Sequence, residues 1–350
     1  MTRKPLLRVL HGEPVWPPPI WLMRQAGRYL PEYRAARAQV RDLVVAFTSP
    51  DLATEITLQP IRRYVMDAAI LYSDILILPW ALGHGLEFRE SVGPVLPKLR
   101  DQAGLDALDR TGFDDRVAPV IETVRRVTAA LREHHPDTAL IGFAGAPFTV
   151  ACYMVEGGGS RDHAEVRGLA YRDPTLFAAL IDRLTEATID YLAWQAEAGA
   201  EALMLFDSWA GVLPPTLFGA HVTRPAIRIA AALRARCPGV PLIGFPRLAG
   251  SQLAAYAQQA GLDAVGMDTA TDPVWAGAAI DRRIALQGNL DPLLLVAGGE
   301  ALQTEALALR AALRDRPHIF NLGHGIVPQT PPEHVAKLVE LVRSIKPARS

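Results

Sequence analysis

Several things are scarce in this 350-residue chain, and each scarcity excludes a class of function. There are two cysteines, Cys152 and Cys237, too few for the disulfide framework of a small secreted domain. Neither has a His or Cys close by in sequence, and His134-His135 sits at a helix end before Pro136, so no metal site is expected. No apolar run approaches the ~20 residues of a membrane-spanning helix. The first residues, Met1-Thr2-Arg3-Lys4-Pro5, lack the apolar core of a signal peptide, and a cytoplasmic protein is the expectation. Net charge is −1, so no global field gathers nucleic acid or anionic membrane. The Gly-x-Ser-x-Gly elbow of esterases is missing, and no dinucleotide glycine fingerprint follows the first candidate strand. The run Gly157-Gly158-Gly159 lacks the Lys-Thr ending of a phosphate cradle and reads as a tight turn or flexible lid. There is no Gly/Ser-rich linker and no internal repeat.

What is present is a chain of ordinary globular composition, 50% hydrophobic and 21% charged. Short, nearly continuous apolar runs alternate with longer helical patterns. The runs at 20–23, 69–73 (extending as far as 78), 140–143, 202–206, 241–245, 264–266, 284–287 and 318–321 read as strands covered on both faces. Apolar spacing predicts helices over 115–132, 175–198, 217–236, 251–260, 301–314 and 333–345. Thr330-Pro331-Pro332-Glu333 resembles a capping box before the last helix. About eight strand–helix alternations predict a single (β/α)8 TIM barrel over 1–350, with a doubly wound open sheet as the alternative. Alternation through 86–96 around Gly93-Pro94 predicts a small hairpin on the barrel rim.

A barrel gathers its chemistry where strands end and loops begin. The unusual residues fall there: Arg24-Gln25-Ala26-Gly27-Arg28 after the first strand, then Asp74, Tyr153 and Glu156, Asp207-Ser208-Trp209, Arg247, Asp268, Gly288-Asn289 and His324. Two arginines four apart flank a small Ala-Gly step, which suits a loop gripping an acidic ligand, because guanidinium forks pair with carboxylates and small residues admit close approach. Two surface arginines opening a helix are the plainer reading. Each of the others has a plain reading as well. Asp74 can be a buried carboxylate bonded to backbone amides, and His324 a turn-shaping residue between glycines. Ser208 and Tyr153 carry little signal individually. Asp207 and Asp268 are expected to cap following helices. Arg34, Arg37 and Arg41 read as a solvated helix face, with Arg37 within reach of the mouth.

The segment Trp21-Leu22-Met23-Arg24-Gln25-Ala26-Gly27-Arg28-Tyr29-Leu30-Pro31-Glu32-Tyr33-Arg34 resembles the signature of the uroporphyrinogen decarboxylase family. Further similarity runs through Ser73-Asp74-Ile75-Leu76, Gly145-Ala146-Pro147-Phe148-Thr149, Tyr153 to Ser160, Gln287 to Pro292 and Asn321 to Ile326, so that it covers essentially the whole chain. The resemblance implies a (β/α)8 barrel, usually a homodimer, that removes CO2 from the acetate side chains of uroporphyrinogen and needs no cofactor. It implies a substrate loop at Arg24, Gln25, Ala26, Gly27 and Arg28, a central carboxylate at Asp74, further contacts at Tyr153, Ser208 and His324, and a basic position at Arg37. Asp74 and Arg24 are the implied catalytic pair, with Asp74 expected to stay ionised because arginines hold its pKa down. The proton donor stays open among Arg24, a bound water, His324 and Tyr153. Trp80, His84, the Phe245-Pro246-Arg247-Leu248 segment and the bulky Trp209 depart from the family pattern. Related alternatives are a corrinoid-linked methyltransferase, which would need a zinc-binding His and Cys set, and a non-catalytic tetrapyrrole carrier.

Overall fold

The structure, a computed structural model, describes residues 4–40 and 42–344. Arg41, the last of the three spaced arginines, and Ile345, the expected end of the final helix, lie outside the described residues. The strands are β1 (Ala68–Ile70), β2 (Glu87–Arg89), β3 (Gly93–Val95), β4 (Ala139–Gly145), β5 (Ala202–Asp207), β6 (Leu242–Pro246), β7 (Ala264–Gly266), β8 (Ala285–Gln287) and β9 (His318–Ile319). Seven of them form one parallel sheet in the order β1-β4-β5-β6-β7-β8-β9, with helices between successive members. Strand order following chain order is the topology of a (β/α)8 barrel.

Closure comes from the first expected strand. Ile20 makes a parallel bridge to Phe320, beyond β9. The Phe320 amide donates to the Pro19 carbonyl at 2.8 Å, and the Asp67 amide donates to the Ile20 carbonyl at 2.9 Å. Asp67 also accepts the Ile20 amide on its carboxylate at 2.8 Å. The run 20–23 therefore sits between the first and last strands of the sheet but contributes only a bridge. Side chains replace the ladder beyond it: the Leu22 amide donates to Gln25 Oε1 and the Met23 amide to Asn321 Oδ1.

The interior is filled rather than hollow. Trp21 Nε1 donates to Gln287 Oε1 at 3.0 Å across the barrel, and the rings of Phe143 and Phe206 meet edge to face at 5.4 Å. Outside, long helices cover the sheet. Helix Pro174–Glu197 starts on Asp173, whose carboxylate accepts the Leu176 amide at 3.0 Å, with Pro174 fixing the first turn. From this helix the buried Gln195 accepts the Phe143 amide at 2.9 Å and donates to the Phe143 carbonyl at 3.0 Å, satisfying both polar groups of a β4 residue.

Four local expectations are corrected. The second strand stops at Ile70 and does not reach 78, because the backbone turns at Asp74 and residues Ile77–Ala81 are helical. The helix expected over 217–236 is three pieces, Pro215–Phe218, a π-helical turn Gly219–Thr223 and Arg224–Arg236. Pro225 has no amide to close the regular ladder, and the wider turn absorbs the defect. The capping box does not form: Pro331 occupies the cap position, and the Thr330 hydroxyl is buried without a partner. The rim hairpin exists, but Arg89 pairs with Gly93, so the turn is Glu90-Ser91-Val92 and Gly93-Pro94 begins the returning strand.

Gln195→Leu should lower stability by about 2–5 kcal/mol, since it strands one buried backbone donor and one acceptor. Urea unfolding checks this against wild type, with little change in m expected.

Candidate active site

The loop after the Ile20 bridge is built to present Arg24. Gln25 is fully buried; its amide accepts from Leu22 and donates to the Ala68 carbonyl at 3.0 Å, tying the loop to β1. Tyr29 closes the loop by donating to the Gln25 carbonyl at 2.9 Å. The side chain of Gln25 thus supports the loop from beneath, while Arg24 and Arg28 are exposed. Arg24 has φ 61°, a left-handed backbone that is costly for a residue with a Cβ and characteristic of functional positions. Gly27 is required beside it: a Cβ there would stand 2.9 Å from the Arg24 carbonyl oxygen.

Arg24 leans across the loop after β9. A Cβ on Gly325 would lie 2.4 Å from Arg24 Cδ, so only glycine admits the arginine stem there. This brings the guanidinium close enough to act on three groups. It lowers the Asp74 pKa, acts in the same sense on Tyr153, and, together with Arg247, disfavours protonation of His324. Arg24, Asp74, Tyr153 and His324, from four different strand ends, therefore share one electrostatic neighbourhood.

Asp74 ends a tight turn and accepts the Leu76 amide on Oδ1 at 2.8 Å. Its pKa is raised: burial is the largest cause, with the Leu76 amide and the Arg24 charge opposing it. The expectation that arginines hold it down is thus half met, since Arg24 pulls in that direction and desolvation outweighs it. His324 is pushed down to about 4 by burial and then by Arg24 and Arg247, so it is neutral at pH 7 and is not a ready proton donor there. Tyr153 is raised by burial.

Arg37 lies at the edge. It donates to the Val40 carbonyl, and its charge works to lower the pKa of Tyr72, which burial chiefly, then Tyr33 and Asp74, raise. Tyr72 in turn meets the Tyr33 hydroxyl at 3.3 Å. Ala26 is half-buried in the loop, and Ser208 is half-buried directly after β5. Arg28 has its carbonyl held by Arg34 at 2.8 Å, but its guanidinium is not among the groups acting on Asp74. The glycine run is a tight turn: Gly157 ends a helix at φ 81°, and Gly158 bridges to Val95 of the hairpin.

Two residues flagged at the strand ends have roles that the sequence did not assign. Arg247 stood out at the end of the fifth expected strand and as a departure from the family pattern, with no role given; its charge reaches His324. Asp207 is no helix cap. It is buried, accepts the Thr149 hydroxyl at 2.5 Å, and has a pKa raised to about 7, chiefly by desolvation. Burial, the one signal that separates these roles, is absent from a local reading. Asp268 is not a helix cap either: it accepts the Leu248 amide at 2.5 Å and the Ala270 amide at 2.9 Å, and the helix Pro273–Ala279 is capped instead by Asp272. Both cysteines are free and buried. Among the described residues no group of three or more His, Cys, Asp or Glu side chains is placed to hold a metal ion.

A parallel barrel carrying a cationic loop, a half-buried carboxylate, a phenol and a neutral imidazole at its C-terminal mouth defines a (β/α)8 enzyme for an acidic substrate. A family model described as uroporphyrinogen decarboxylase (URO-D) matches residues 1–345. The chain is 61% identical over 342 residues to the uroporphyrinogen decarboxylase of Granulibacter bethesdensis, covering 98% of this chain and 99% of that one. It is 59% identical over 346 residues to that of Acidiphilium cryptum, covering 99% and 96%. Against that of Rhodospirillum rubrum the identity is 50% over 343 residues, covering 98% of both. The chain belongs to the uroporphyrinogen decarboxylase family. In fold it is similar to a methyltransferase from Methanosarcina mazei, with a TM-score of 0.79, 21% identity and 96% of both chains covered.

Asp207 gives a stability test. Its folded pKa of about 7 exceeds the ordinary 3.8, so between those values the native state keeps a proton that the unfolded chain has released. Stability should therefore fall as pH rises through that window. Asp207→Asn, which still accepts from Thr149, should flatten the decline and be more stable than wild type at pH 8, as read by urea unfolding across the pH range.

Proposed function

We propose that the chain decarboxylates the four acetate side chains of uroporphyrinogen III to methyls, giving coproporphyrinogen III in heme biosynthesis, and does so without a cofactor. The observation that carries the site assignment is the electrostatic coupling of Arg24, Asp74, Tyr153 and His324 at one barrel mouth. It stands within a chain similar over nearly its full length to proteins of that name.

A pyrrole acetate loses CO2 once the ring can accept the electron pair of the breaking bond. Protonation of the adjacent ring carbon makes a cationic, iminium-like sink. The C–CO2 bond then breaks, its electrons neutralise the ring, and an exocyclic methylene remains. Protonation of that methylene and loss of the added ring proton leave a methylpyrrole. Ionised Asp74 accepts the converging pyrrole N–H groups and stabilises the ring cation. Charge-assisted bonds of this kind are worth roughly 1.5–3 kcal/mol each. Arg24, Arg28 and Arg37 hold substrate carboxylates, with Ala26 and Gly27 allowing close approach of the backbone. Ser208, Tyr153 and neutral His324 offer hydrogen bonds to the remaining acids. With His324 neutral, Arg24 or a water it holds is the proton donor in this scheme.

A homodimer is part of the proposal. Leu248 and Trp275, 47% and 40% exposed, line one open cavity at the ends of β6 and β7, an apolar area suited to a second copy. A cytoplasmic location belongs to it as well; no helix among the described residues is long and apolar enough to cross a membrane.

Asp74→Asn should reduce kcat/KM for uroporphyrinogen by about 10²–10³-fold, while Asp74→Glu is milder because the charge persists. Near-normal conversion by Asp74→Asn, measured by chromatographic separation of porphyrin products, would remove the central carboxylate from the mechanism. Because the Asp74 pKa is raised and the ionised form is needed, wild-type activity should fall on the acid side at a pH above the ordinary aspartate value of 3.8. Gly325→Ala should displace Arg24 and raise KM roughly tenfold with little change in melting temperature, a split that kinetics and thermal unfolding together read out. Sedimentation velocity of Leu248→Asp, Trp275→Asp should show monomer where wild type shows dimer.

A further inference from the structure

Arg247 brings a charge to the mouth for which the protein supplies no partner. It follows β6, whose two faces are identified by what touches them. A Cβ on Gly244 would lie 2.5 Å from Leu262 Cδ1 and 2.8 Å from the Tyr256 hydroxyl, so Gly244 faces outward, toward the helix Leu253–Gln259. Phe245 therefore faces inward, where its ring meets that of its register partner Phe206 edge to face at 6.2 Å. The ladder to β5 runs on past the end of the strand, because the Arg247 amide donates to the Asp207 carbonyl at 3.0 Å. Side chains alternate along such a ladder, so Arg247 shares the inward face with Phe245, above it at the open end of the barrel. Its backbone is held at two further points. The Arg247 carbonyl accepts the Gly211 amide at 3.0 Å, and the next amide, that of Leu248, donates to Asp268 at 2.5 Å. A Cβ on Gly211 would run into the Leu248 carbonyl oxygen, so only glycine lets the two loops close on each other. The side chain launched from this base is half-buried, and among the described residues its guanidinium has neither a hydrogen-bond partner nor an ion-pair partner. A cation partly out of water with no counter-charge is unfavourable, and an acidic ligand relieves it.

We propose that Arg247 is a substrate-binding residue whose guanidinium fork grips a carboxylate side chain of the tetrapyrrole remote from the pyrrole being decarboxylated. This rests on the decarboxylase reading for the identity of the ligand, but not for the placement of a free guanidinium on the cleft face. In the sheet, β4 and β5 separate β6 from β1, which puts Arg247 nearly across the closed barrel from Asp74. An acid held there belongs to a different ring from the one over Asp74. The fixed backbone means that little freedom is lost when the fork closes on it. The charge also acts on His324 in the same sense as Arg24, so the neutral imidazole lies in the field of two cations, each free to meet a substrate acid. Because the gripped group takes no part in bond breaking, the contact strengthens substrate and transition state alike.

The test separates binding from turnover. Arg247→Met keeps the aliphatic stem and deletes the fork, while Arg247→Lys keeps the charge without the fork. With uroporphyrinogen, Arg247→Met should raise KM roughly 10–30-fold with kcat nearly unchanged, and Arg247→Lys should fall between it and wild type. Anaerobic calorimetry in the Asp74→Asn background reads binding directly; adding Arg247→Met there should weaken uroporphyrinogen binding by a similar factor. Coproporphyrinogen, used as a product inhibitor, identifies the gripped group. A parallel loss of inhibition in Arg247→Met assigns a propionate, which survives into the product, and unchanged inhibition beside a raised KM assigns an acetate. Unchanged KM and binding, a loss confined to kcat, or a raised KM matched by a lowered melting temperature would overturn the proposal. Should wild type fail to convert uroporphyrinogen while Arg247→Met still weakens its binding, the decarboxylase reading fails and the carboxylate anchor stands.

Discussion

One carboxylate held half out of water beside one guanidinium organises this molecule. Asp74 sits where β1 has ended and the chain turns, with an amide on one oxygen and the Arg24 charge nearby. Desolvation and the positive charge act on it in opposite directions, and burial dominates. A carboxylate in that balance interacts strongly with any cation that develops next to it, because little water remains to screen the attraction. Everything around the mouth serves to keep Arg24 where that balance needs it.

The supports are mostly backbone devices. Gln25 braces the loop against β1, Arg24 is held in a left-handed conformation, and Gly27 and Gly325 leave room where any side chain would collide. The same guanidinium that moderates Asp74 also, with burial and Arg247, keeps His324 neutral. One charge thereby acts on the protonation of two neighbours, opposing burial at Asp74 and reinforcing it at His324. On the opposite side, Asp207, Thr149, Trp209 and Tyr153 form a chain of contacts from the outer face of β5 to the mouth.

Much of this was legible beforehand. The alternation of apolar runs and helical patterns suffices for the barrel, since strands covered on both faces have to be continuous in their hydrophobicity. The arginine loop, Asp74, Tyr153 and His324 stood out because polar residues at strand ends are unusual in an apolar context. Boundaries were less legible. Pro225 lies inside a well-patterned amphipathic run, and periodicity alone does not register the missing amide that forces a π-helical turn. Thr330 carries the letters of a capping box, yet the following prolines shift the cap by one residue and turn its hydroxyl inward.

The sequence by itself determined the elements, their order and the list of reactive side chains, because patterning and residue chemistry act over short range. Only the tertiary structure decided which of those side chains share a field, and so which way each one titrates. Asp74 is raised despite its arginine, His324 is neutral, and Asp207 is a buried acid rather than a cap. Those outcomes depend on how much water reaches each group and on charges brought from distant strands, and neither quantity exists until the barrel has closed.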